Sequence, residues 1–389
     1  MEENKDAAIG AKLRDYTADS HIGRGRLDLP FALLTLILLT IGVVMVLSAS
    51  FARAYYDPTN VTKGNAAYYF VRQLIFALLG VAVMYFASKF PMAFYRRFSF
   101  LVLLAAIALL VLVPLIGIVG NGARRWIGVG SITVQPSEIA KIGIILAFAT
   151  MICRRKEQMK TFRHGILPFA AILGVIILLL ALEPHLSAAI IISLVGAAML
   201  FLGGVRLYWF AAGAGALAAF GGLAIAVLDY ARERVSNWLN PFAAASGDGY
   251  QIVQSLYAVG SGGLMGLGLG QSRQKYLYLP EEHNDFIFSI VSEELGFIGA
   301  VMILLLFALL IVRGYWLAMH MRSRYSCLVV AGITTLLAVQ VFLNVAVVTN
   351  LIPCTGISLP FFSYGGTALL LQMGEMGIIL SASRDVPDK

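Results

Sequence analysis

The segment LPEEHNDFIFS at residues 279–289 places Glu281, Glu282, His283 and Asp285 directly before an apolar run. The chain has 21 Asp and Glu residues in 389, so three within eleven positions is a concentration that requires a chemical reason. A carboxylate there can act as a general base, and carboxylates with a histidine can hold a cation. A solvated acidic turn is the ordinary alternative for the two glutamates.

A second polar group lies in QPSEIAK at residues 135–141, where Pro136 suits the first turn of a helix. Glu138 and Lys141 are three residues apart, so they share one helix face and can neutralise each other. Two interpretations remain open. The pair either fixes only the orientation of the helix, or it lines an outward-facing cavity in which Lys141 turns toward an anionic substrate.

Two further segments carry groups that bind anions or offer hydroxyls. GNGARRWIGVG at 120–130 contains Arg124 and Arg125, which are either interfacial anchors or a bidentate clamp for phosphate. PCTGISLPFFSYGG at 353–366 breaks helical structure with Pro and Gly, and such backbone is tolerated within a membrane only where it is covered by protein or lines a cavity. It then presents Ser363 to that cavity, although a simple turn is the alternative.

Other ionisable residues have less definite interpretations. Glu293 and Glu294 are expected to face protein or water rather than lipid, and Glu375 lies inside the last apolar segment without a local cation. Glu183 and His185 flank a proline at a turn, where we expect them to be solvated. The sequence does not assign a function to any of these five.

Composition identifies the class of protein that must position these groups. With 59% hydrophobic residues, 13% charged residues and a mean hydropathy of +0.84, the chain is a membrane protein. The three cysteines are far apart and predict neither a disulfide framework nor a zinc site. The net charge of +8 is explained by loop cations, so nucleic acid is not an expected partner.

Apolar runs long enough to cross about 30 Å of hydrocarbon predict an all-α polytopic fold of ten transmembrane helices. The runs lie near residues 30–50, 68–88, 98–119, 137–153, 166–183, 185–203, 206–229, 286–312, 325–350 and 365–383.

The distribution of Lys and Arg predicts the orientation. With the amino terminus inside, nineteen cations lie on the cytoplasmic side and nine outside, which favours two cytoplasmic termini. The predicted organisation is a retained cytoplasmic tail at 1–27, one transmembrane domain over 28–384, and a second tail at 385–389. The long loop at 230–285 then lies outside the cell. Its glycine-rich part at 260–270 lacks a GK[ST] sequence and is interpreted as a re-entrant or surface-lying segment rather than a nucleotide site.

These outer motifs occur together in one order: NGARRWI, QPSEIAK, GDGYQIVQSLYAVGSGGLMGLGLGQSRQKY, LPEEHNDFIFSIVSEELGFIG, and TGISLPFFSYGG. In that order they resemble the SEDS family of bacterial cell-wall proteins, which includes FtsW, RodA and SpoVE. The resemblance runs from about Leu27 to the end of the chain and is closer to the FtsW and SpoVE branch. Asn350 and the pair Thr367 and Ala368 depart from the family pattern.

The resemblance implies a peptidoglycan glycosyltransferase of the cytoplasmic membrane that polymerises lipid II, in cell division or sporulation. Its implied partners are the growing glycan strand, a class B penicillin-binding protein that acts as transpeptidase, and other divisome or spore-cortex membrane proteins. The essential aspartate of the family falls on Asp285, and its cavity Arg, Glu and Lys fall on Arg125, Glu138 and Lys141.

Inverting transfer from an α-linked diphosphate requires a base for the attacking hydroxyl and positive charge near the leaving group. Asp285 is the expected base. The expected substrate-binding residues are Arg124, Arg125, Glu138, Lys141, His283 and Ser363. A divalent cation, Mg²⁺ or Mn²⁺, is the expected cofactor, with no ligand set assigned.

Two other functions remain open on the sequence alone. A flippase for lipid-linked precursors would also use a polar cavity with an intramembrane Glu–Lys pair. Against it, the spans show no inverted repeat, and the polar residues gather on one face of the membrane. A scaffold that only recruits a transpeptidase is the third class, for which loss of the Asp285 carboxylate would have no effect.

Overall fold

The computed structural model describes residues 25–56, 61–120, 123–129, 132–155, 157–183, 185–227, 235–236, 238–244, 247 and 249–386. Most of the predicted amino-terminal tail lies outside these ranges, as do the last three residues. Arg232 and Arg234, two of the cations counted for the orientation, also lie outside the described residues.

The described residues form eleven α-helices, named α1 to α11 in chain order. They are Leu29–Tyr55, Tyr68–Ala87, Met92–Ile116, Pro136–Arg154, Leu167–Leu182, Leu186–Leu202, Leu207–Val227, Tyr250–Ser261, Ile287–His320, Arg324–Val348 and Gly366–Ser383. Short 3₁₀ turns occupy Gln158–Lys160 and Pro241–Ala244, and a π-helical turn at Phe162–Ile166 leads into α5.

Each of the ten predicted apolar segments coincides with one helix, and α8 is an additional helix within the long loop. Seven helices, α1 to α5 with α9 and α10, are long and apolar enough to cross a membrane, α5 together with its π-helical turn. The chain is therefore a multi-pass membrane protein, while the count of ten spans and their orientation stay predictions. Helix α9 continues eight residues past the predicted end, and in this extension Arg313 pairs with Asp28 and lies over the Trp316 ring.

Helices α4 and α10 form the centre of the bundle. In their most apolar stretches 78% and 72% of the residues are buried, against 22% in α2 and α5. The outer helices therefore present their apolar side chains to lipid, and the two central helices are surrounded by protein. Most side chains on α4 and α10 therefore face an internal cavity or another helix.

A small antiparallel sheet interrupts the predicted all-α fold. Strands β1 (Ile118–Gly120), β2 (Ala123–Val129) and β3 (Ile132–Val134) pair in that order between α3 and α4. The segment is rich in β-branched and aromatic residues, which favour strands. The Thr367 hydroxyl donates to the Thr133 carbonyl at 2.7 Å, so the sheet is tied to the start of α11.

Helix α9 is broken at Gly296, whose φ of 66° is not helical. The glycine-rich loop lies against this break, since the amides of Leu267 and Phe297 donate across it at 3.0 and 2.9 Å to the carbonyls of Glu293 and Gly263. These backbone amides and carbonyls of the two non-helical segments thereby have hydrogen-bond partners within the protein. The contact is formed inside α9 rather than at its end, and the interpretation of the loop as re-entrant or surface-lying stays a prediction.

Buried side chains reinforce the same contact. The Glu294 carboxylate pairs with Lys275 at 3.0 Å and accepts a hydrogen bond from Ser48. The Glu293 carboxylate accepts from the Ser272 hydroxyl and from two backbone amides of the loop. Both glutamates therefore face protein, as expected, and they hold the loop that leads to the acidic turn.

Candidate active site

A polar cavity of about 340 Å³ opens among the sheet, the acidic turn and the helices α2, α4, α6, α10 and α11. Five of the predicted site residues line it: Arg125, Glu138, Lys141, Asp285 and Ser363. They come from four separate parts of the chain, and the fold brings them to one place. Three cations and four carboxylates line the cavity: Arg72, Arg125, Lys141, Glu138, Glu281, Asp285 and Glu375.

Asp285 is the last polar residue before α9, and buried groups fix its backbone. Asn344 of α10 is fully buried, and its side-chain amide donates to the carbonyls of Asp285 and Ile357 at 2.8 and 2.6 Å. Gly356 has a φ of 67°, and a Cβ built there would lie 3.1 Å from Oδ2 of Asp285. The role of Asn344 was not predicted, because the sequence around a single Asn in an apolar helix does not indicate which groups its side chain contacts.

The segment at 353–366 is joined to the acidic turn by further hydrogen bonds. The Ser363 hydroxyl donates to the Asn284 carbonyl at 2.8 Å and accepts from the Leu359 amide at 2.7 Å. The Tyr364 amide donates to the His283 carbonyl at 2.9 Å. Ser363 thus lines the cavity with its hydroxyl already engaged, and its contacts are those of a residue that shapes the turn.

The surroundings of Asp285 raise the pKa of its carboxyl to about 6. Burial is the largest cause and the negative charge of Glu281 adds to it, while the charges of Arg125 and His283 oppose it. A carboxylate in this range is ionised in most molecules at neutral pH and is a stronger proton acceptor than an ordinary aspartate. These are the properties that a general base requires.

Two of the cations that line the cavity come from α4 and β2. The Lys141 ammonium lies 2.6 Å from Oε2 of Glu138, and its side chain is 3% exposed against 18% for Glu138. Arg125 also lines the cavity, from strand β2. An ammonium and a guanidinium at one cavity wall can stabilise an anion, and Lys141 has a flexible stem that allows it to change partner.

Arg124 and His283 do not line the cavity. Arg124 is exposed and donates to the Pro114 carbonyl at 3.1 Å, on the side of the strand opposite to Arg125, because successive residues of a strand point to opposite faces. The His283 ring is buried between Tyr69 and Tyr364, with ring centroids 4.9 and 5.7 Å away. Neither side chain is placed to contact a ligand in the cavity, so their predicted substrate-binding role has no geometric support.

The acidic turn is not simply solvated. Glu282 is fully buried and forms a bidentate pair with Arg53 of α1, at 2.7 and 2.8 Å. Burial by itself would raise the pKa of Glu282, but the neighbouring His283, with Nδ1 3.7 Å away, and the two hydrogen bonds from Arg53 outweigh it and lower the pKa. Glu281 lines the cavity. The interpretation as a solvated turn is therefore wrong for Glu282, which anchors the turn to α1.

The expectation that Glu183 and His185 are solvated is also wrong. They are 2% and 8% exposed, and His185 lines the cavity beside Gln135. Burial raises the pKa of Glu183 to about 7, opposed by Arg125. Burial and the charges of Arg125 and Lys141 lower the pKa of His185 to about 3, so its imidazole is neutral. A turn between two apolar runs gave no indication that these two side chains would be buried.

The side chains that the structure describes do not by themselves form a metal site. Within the described ranges, no group of three or more His, Cys, Asp or Glu side chains is arranged to hold a metal ion. Glu282, one of the residues considered for a cation, is occupied by Arg53. The divalent cation stays a prediction.

The family described as "Cell cycle protein" (FtsW/RodA/SpoVE) matches residues 29–387. Stage V sporulation protein E of Bacillus subtilis (strain 168) is 43% identical, over 92% of this chain and 97% of that protein. A protein of Geobacter sulfurreducens named "Probable peptidoglycan glycosyltransferase FtsW" is 40% identical, over 92% and 95%. This chain belongs to the FtsW/RodA/SpoVE family.

Solved structures agree with the family assignment. A chain of a peptidoglycan synthase complex, studied for the coordination of polymerization and crosslinking, is similar with a TM-score of 0.78, 27% identity and coverage of 92% of this chain and 98% of that chain. The rod shape determining protein RodA of Thermus thermophilus is similar with a TM-score of 0.68, 26% identity and coverage of 94% and 99%. The resemblance inferred from the ordered motifs is confirmed, and the fold is that of the family.

Proposed function

We propose that this chain is a peptidoglycan glycosyltransferase that polymerises lipid II into β-1,4 glycan strands at the outer face of the cytoplasmic membrane, in cell division or sporulation. One observation carries the proposal. A carboxylate whose pKa is near 6 and two cations, Arg125 and Lys141, line the same cavity in a member of this family. The names of the two relatives, a peptidoglycan glycosyltransferase and a sporulation protein, support it.

The reaction is a single inverting displacement. Asp285 takes the proton of the attacking sugar hydroxyl, whose oxygen forms a bond to the anomeric carbon on the face opposite the leaving group. The bond from the anomeric carbon to the diphosphate oxygen breaks at the same time. Negative charge develops on the departing polyprenyl diphosphate, where Arg125 and Lys141 stabilise it. The cavity of about 340 Å³ holds the reacting sugars and diphosphate, while the lipid tail stays in the membrane.

The proposal includes the orientation that this chemistry needs. Ten spans with both termini in the cytoplasm place the acidic turn and the sheet outside, where the sugar headgroup of lipid II is polymerised. The distribution of nineteen inner against nine outer cations supports this arrangement. A class B penicillin-binding protein is the proposed partner, since the similar complex couples polymerization to crosslinking.

Polymerisation by the purified full-length chain, with and without its cognate transpeptidase, tests the function. Wild type is expected to convert labelled lipid II into glycan strands, and Asp285→Ala to lose this activity while keeping its thermal stability in detergent. Thr349→Ala, which removes an exposed hydroxyl of the residue that follows α10, serves as the matched control and retains activity. Full activity of Asp285→Ala would contradict the proposal.

The same reconstitution separates the remaining candidate functions. A flippase would move labelled lipid across the bilayer of a vesicle without forming glycan strands. A scaffold would stimulate the transpeptidase equally well with Ala at position 285. The glycosyltransferase alone predicts strands that depend on the Asp285 carboxylate.

A further inference from the structure

The deep end of the cavity is polar and lies well inside the helical bundle. Gln340, Gln372 and Glu375 line it there. Glu375 is nine residues from the first residue of α11, and Gln340 is eight residues from the last residue of α10, which correspond to about 13 and 12 Å along the helices. Half of the hydrocarbon thickness is about 15 Å. In the proposed ten-span arrangement, these groups lie close to the middle of the membrane, far below the acidic turn.

Glu375 differs from its polar neighbour on the same helix. The Gln372 side chain accepts a hydrogen bond from the Phe361 amide at 3.0 Å, so it has a structural contact. Glu375 is 6% exposed and faces the cavity, and no hydrogen bond or direct ion pair joins it to another residue in the part of the chain that the structure describes. Carboxylates at this depth are costly unless a cation or proton compensates them, and they mark functional positions.

The charges that act on Glu375 come from α4. Burial is the largest influence on a negative charge at Glu375 and opposes it, Lys141 attracts that charge, and Glu138 repels it. Lys141 itself is paired with Glu138 at 2.6 Å. One ammonium therefore attracts two carboxylates, of which Glu138 is in direct contact and Glu375 lines the same cavity. A lysine has three donors on a flexible stem, so it can exchange one carboxylate for the other.

Binding of an anionic substrate makes this exchange useful. A diphosphate that reaches Lys141 competes with Glu138 for the same ammonium, because the pair is short and Lys141 is almost completely buried. If Glu138 were the only counter-ion, release of Lys141 would leave the ammonium without compensation until the diphosphate arrived. A second carboxylate beside the cavity removes that penalty and keeps the lysine charged.

We propose that Glu375 is a second counter-ion for Lys141, a positioning residue that lets the ammonium leave Glu138 and holds it in the cavity facing the diphosphate of the substrate. The geometry of the shared cavity carries this inference, which rests on the proposed function only for the identity of the substrate. Glu375 touches neither the acceptor hydroxyl nor the anomeric carbon in this scheme, and it acts through Lys141.

The test is a double-mutant cycle on the full-length chain in complex with its transpeptidase, with KM and kcat for lipid II as readouts. Glu375→Gln keeps the size of the side chain and removes its charge. It is expected to raise KM about tenfold while kcat changes less than about twofold, since one charged contact to a bound anion is affected. Glu375→Asp keeps the charge on a shorter side chain and is expected to recover most of the loss.

The background variant Lys141→Met distinguishes positioning from a general structural role. In that background, Glu375→Gln is expected to cause no further change in KM, because the group through which Glu375 acts is absent. Ser381→Ala is the matched control, since Ser381 is a buried polar residue of the same helix that does not line the cavity. It is expected to leave KM unchanged. An unchanged KM in Glu375→Gln, or an equal loss with and without Lys141, would overturn the inference.

A binding measurement keeps this test separate from that of the proposed function. The purified chain is titrated with a radiolabelled polyprenyl diphosphate, which contains the anion but no sugar to transfer. The dissociation constant is expected to rise about tenfold in Glu375→Gln. In the Lys141→Met background, the same Glu375→Gln change is expected to leave the dissociation constant as it is.

The two failures are then distinguishable. If the wild type and the variants bind the probe with the expected differences in dissociation constant but the wild type makes no glycan, the proposed function fails and the inference about Glu375 stands. Equal binding by wild type and Glu375→Gln rejects the inference even if polymerisation is observed.

Discussion

The Asp285 carboxylate has to be ionised to take a proton, and its surroundings oppose ionisation. Burial and the nearby Glu281 raise its pKa to about 6, so the fraction of active enzyme falls as the pH drops through this value. We expect kcat/KM for lipid II to decline about tenfold per pH unit below about pH 6 and to level off above it. Initial rates of the purified complex, measured from mildly acidic to mildly alkaline pH, check this.

Variants at Glu281 and Arg125 test whether the pKa of Asp285 controls this pH profile. Glu281→Gln removes one of the two influences that raise the pKa of Asp285, so the acidic limb of the profile is expected to move to lower pH. Arg125→Gln removes an opposing charge, and its limb is expected to move to higher pH. A limb that stays in place in both variants would show that another group controls the profile.

At the scale of elements, α10 determines where the acidic turn and the segment at 353–366 meet. The buried Asn344 amide bridges the carbonyls of Asp285 and Ile357. Asn344→Ala leaves both carbonyls without this donor, which costs about 1–3 kcal/mol for each buried group left unpaired. We expect a lower thermal midpoint and a loss of activity larger than the loss of folded protein. Normal activity per folded molecule would show that the bridge does not position Asp285.

The contact between the glycine-rich loop and the break in α9 is a second determinant at this scale. A Cβ at Gly266 would lie 2.2 Å from the Glu294 carbonyl oxygen, and Gly266 has a φ of 79°. Gly263 also has a positive φ, of 53°, but has open space around its Cβ position. An L-residue in this conformation costs about 1–2 kcal/mol.

Comparison of the two alanine variants isolates the steric contribution. Gly263→Ala is expected to lower stability by about 1 kcal/mol and to keep activity. Gly266→Ala is expected to destabilise more and to displace the loop that Glu293 and Glu294 hold. Thermal unfolding in detergent and the polymerisation rate are the measurements. Equal effects at the two positions would mean that the loop does not depend on the close backbone contact.

At the scale of the whole molecule, the proposed orientation predicts which ends of the bundle face the outside. Val61 lies between α1 and α2, and Lys160 lies between α4 and α5, so the ten-span arrangement places them on opposite sides. Both are exposed. In a chain without its native cysteines, a membrane-impermeant maleimide added to intact cells is expected to label Val61→Cys and not Lys160→Cys. The reverse pattern would invert the orientation and remove the proposed site from the outer face.

Much of this molecule follows from local sequence. The apolar runs predict the ten helical segments because a helix is the structure that satisfies its own backbone in lipid. The ordered motifs identify the family, and the pair Glu138 and Lys141 is predicted by its spacing on one helix face. Each of these depends on residues that are close together in the chain, so local patterns are enough to predict them.

The assembled site depends on contacts between residues that are distant in the chain, and these contacts are visible only in the folded structure. Glu282 pairs with Arg53, more than two hundred residues earlier, and thereby leaves the acidic turn with Asp285 and Glu281 at the cavity. Glu183 is buried at its turn, and the last helix brings Glu375 to the cavity of Lys141. The burial and the electrostatic surroundings of these side chains depend on the packing of several helices. The local sequence around a carboxylate does not indicate whether water, an arginine or a cavity will surround it in the fold.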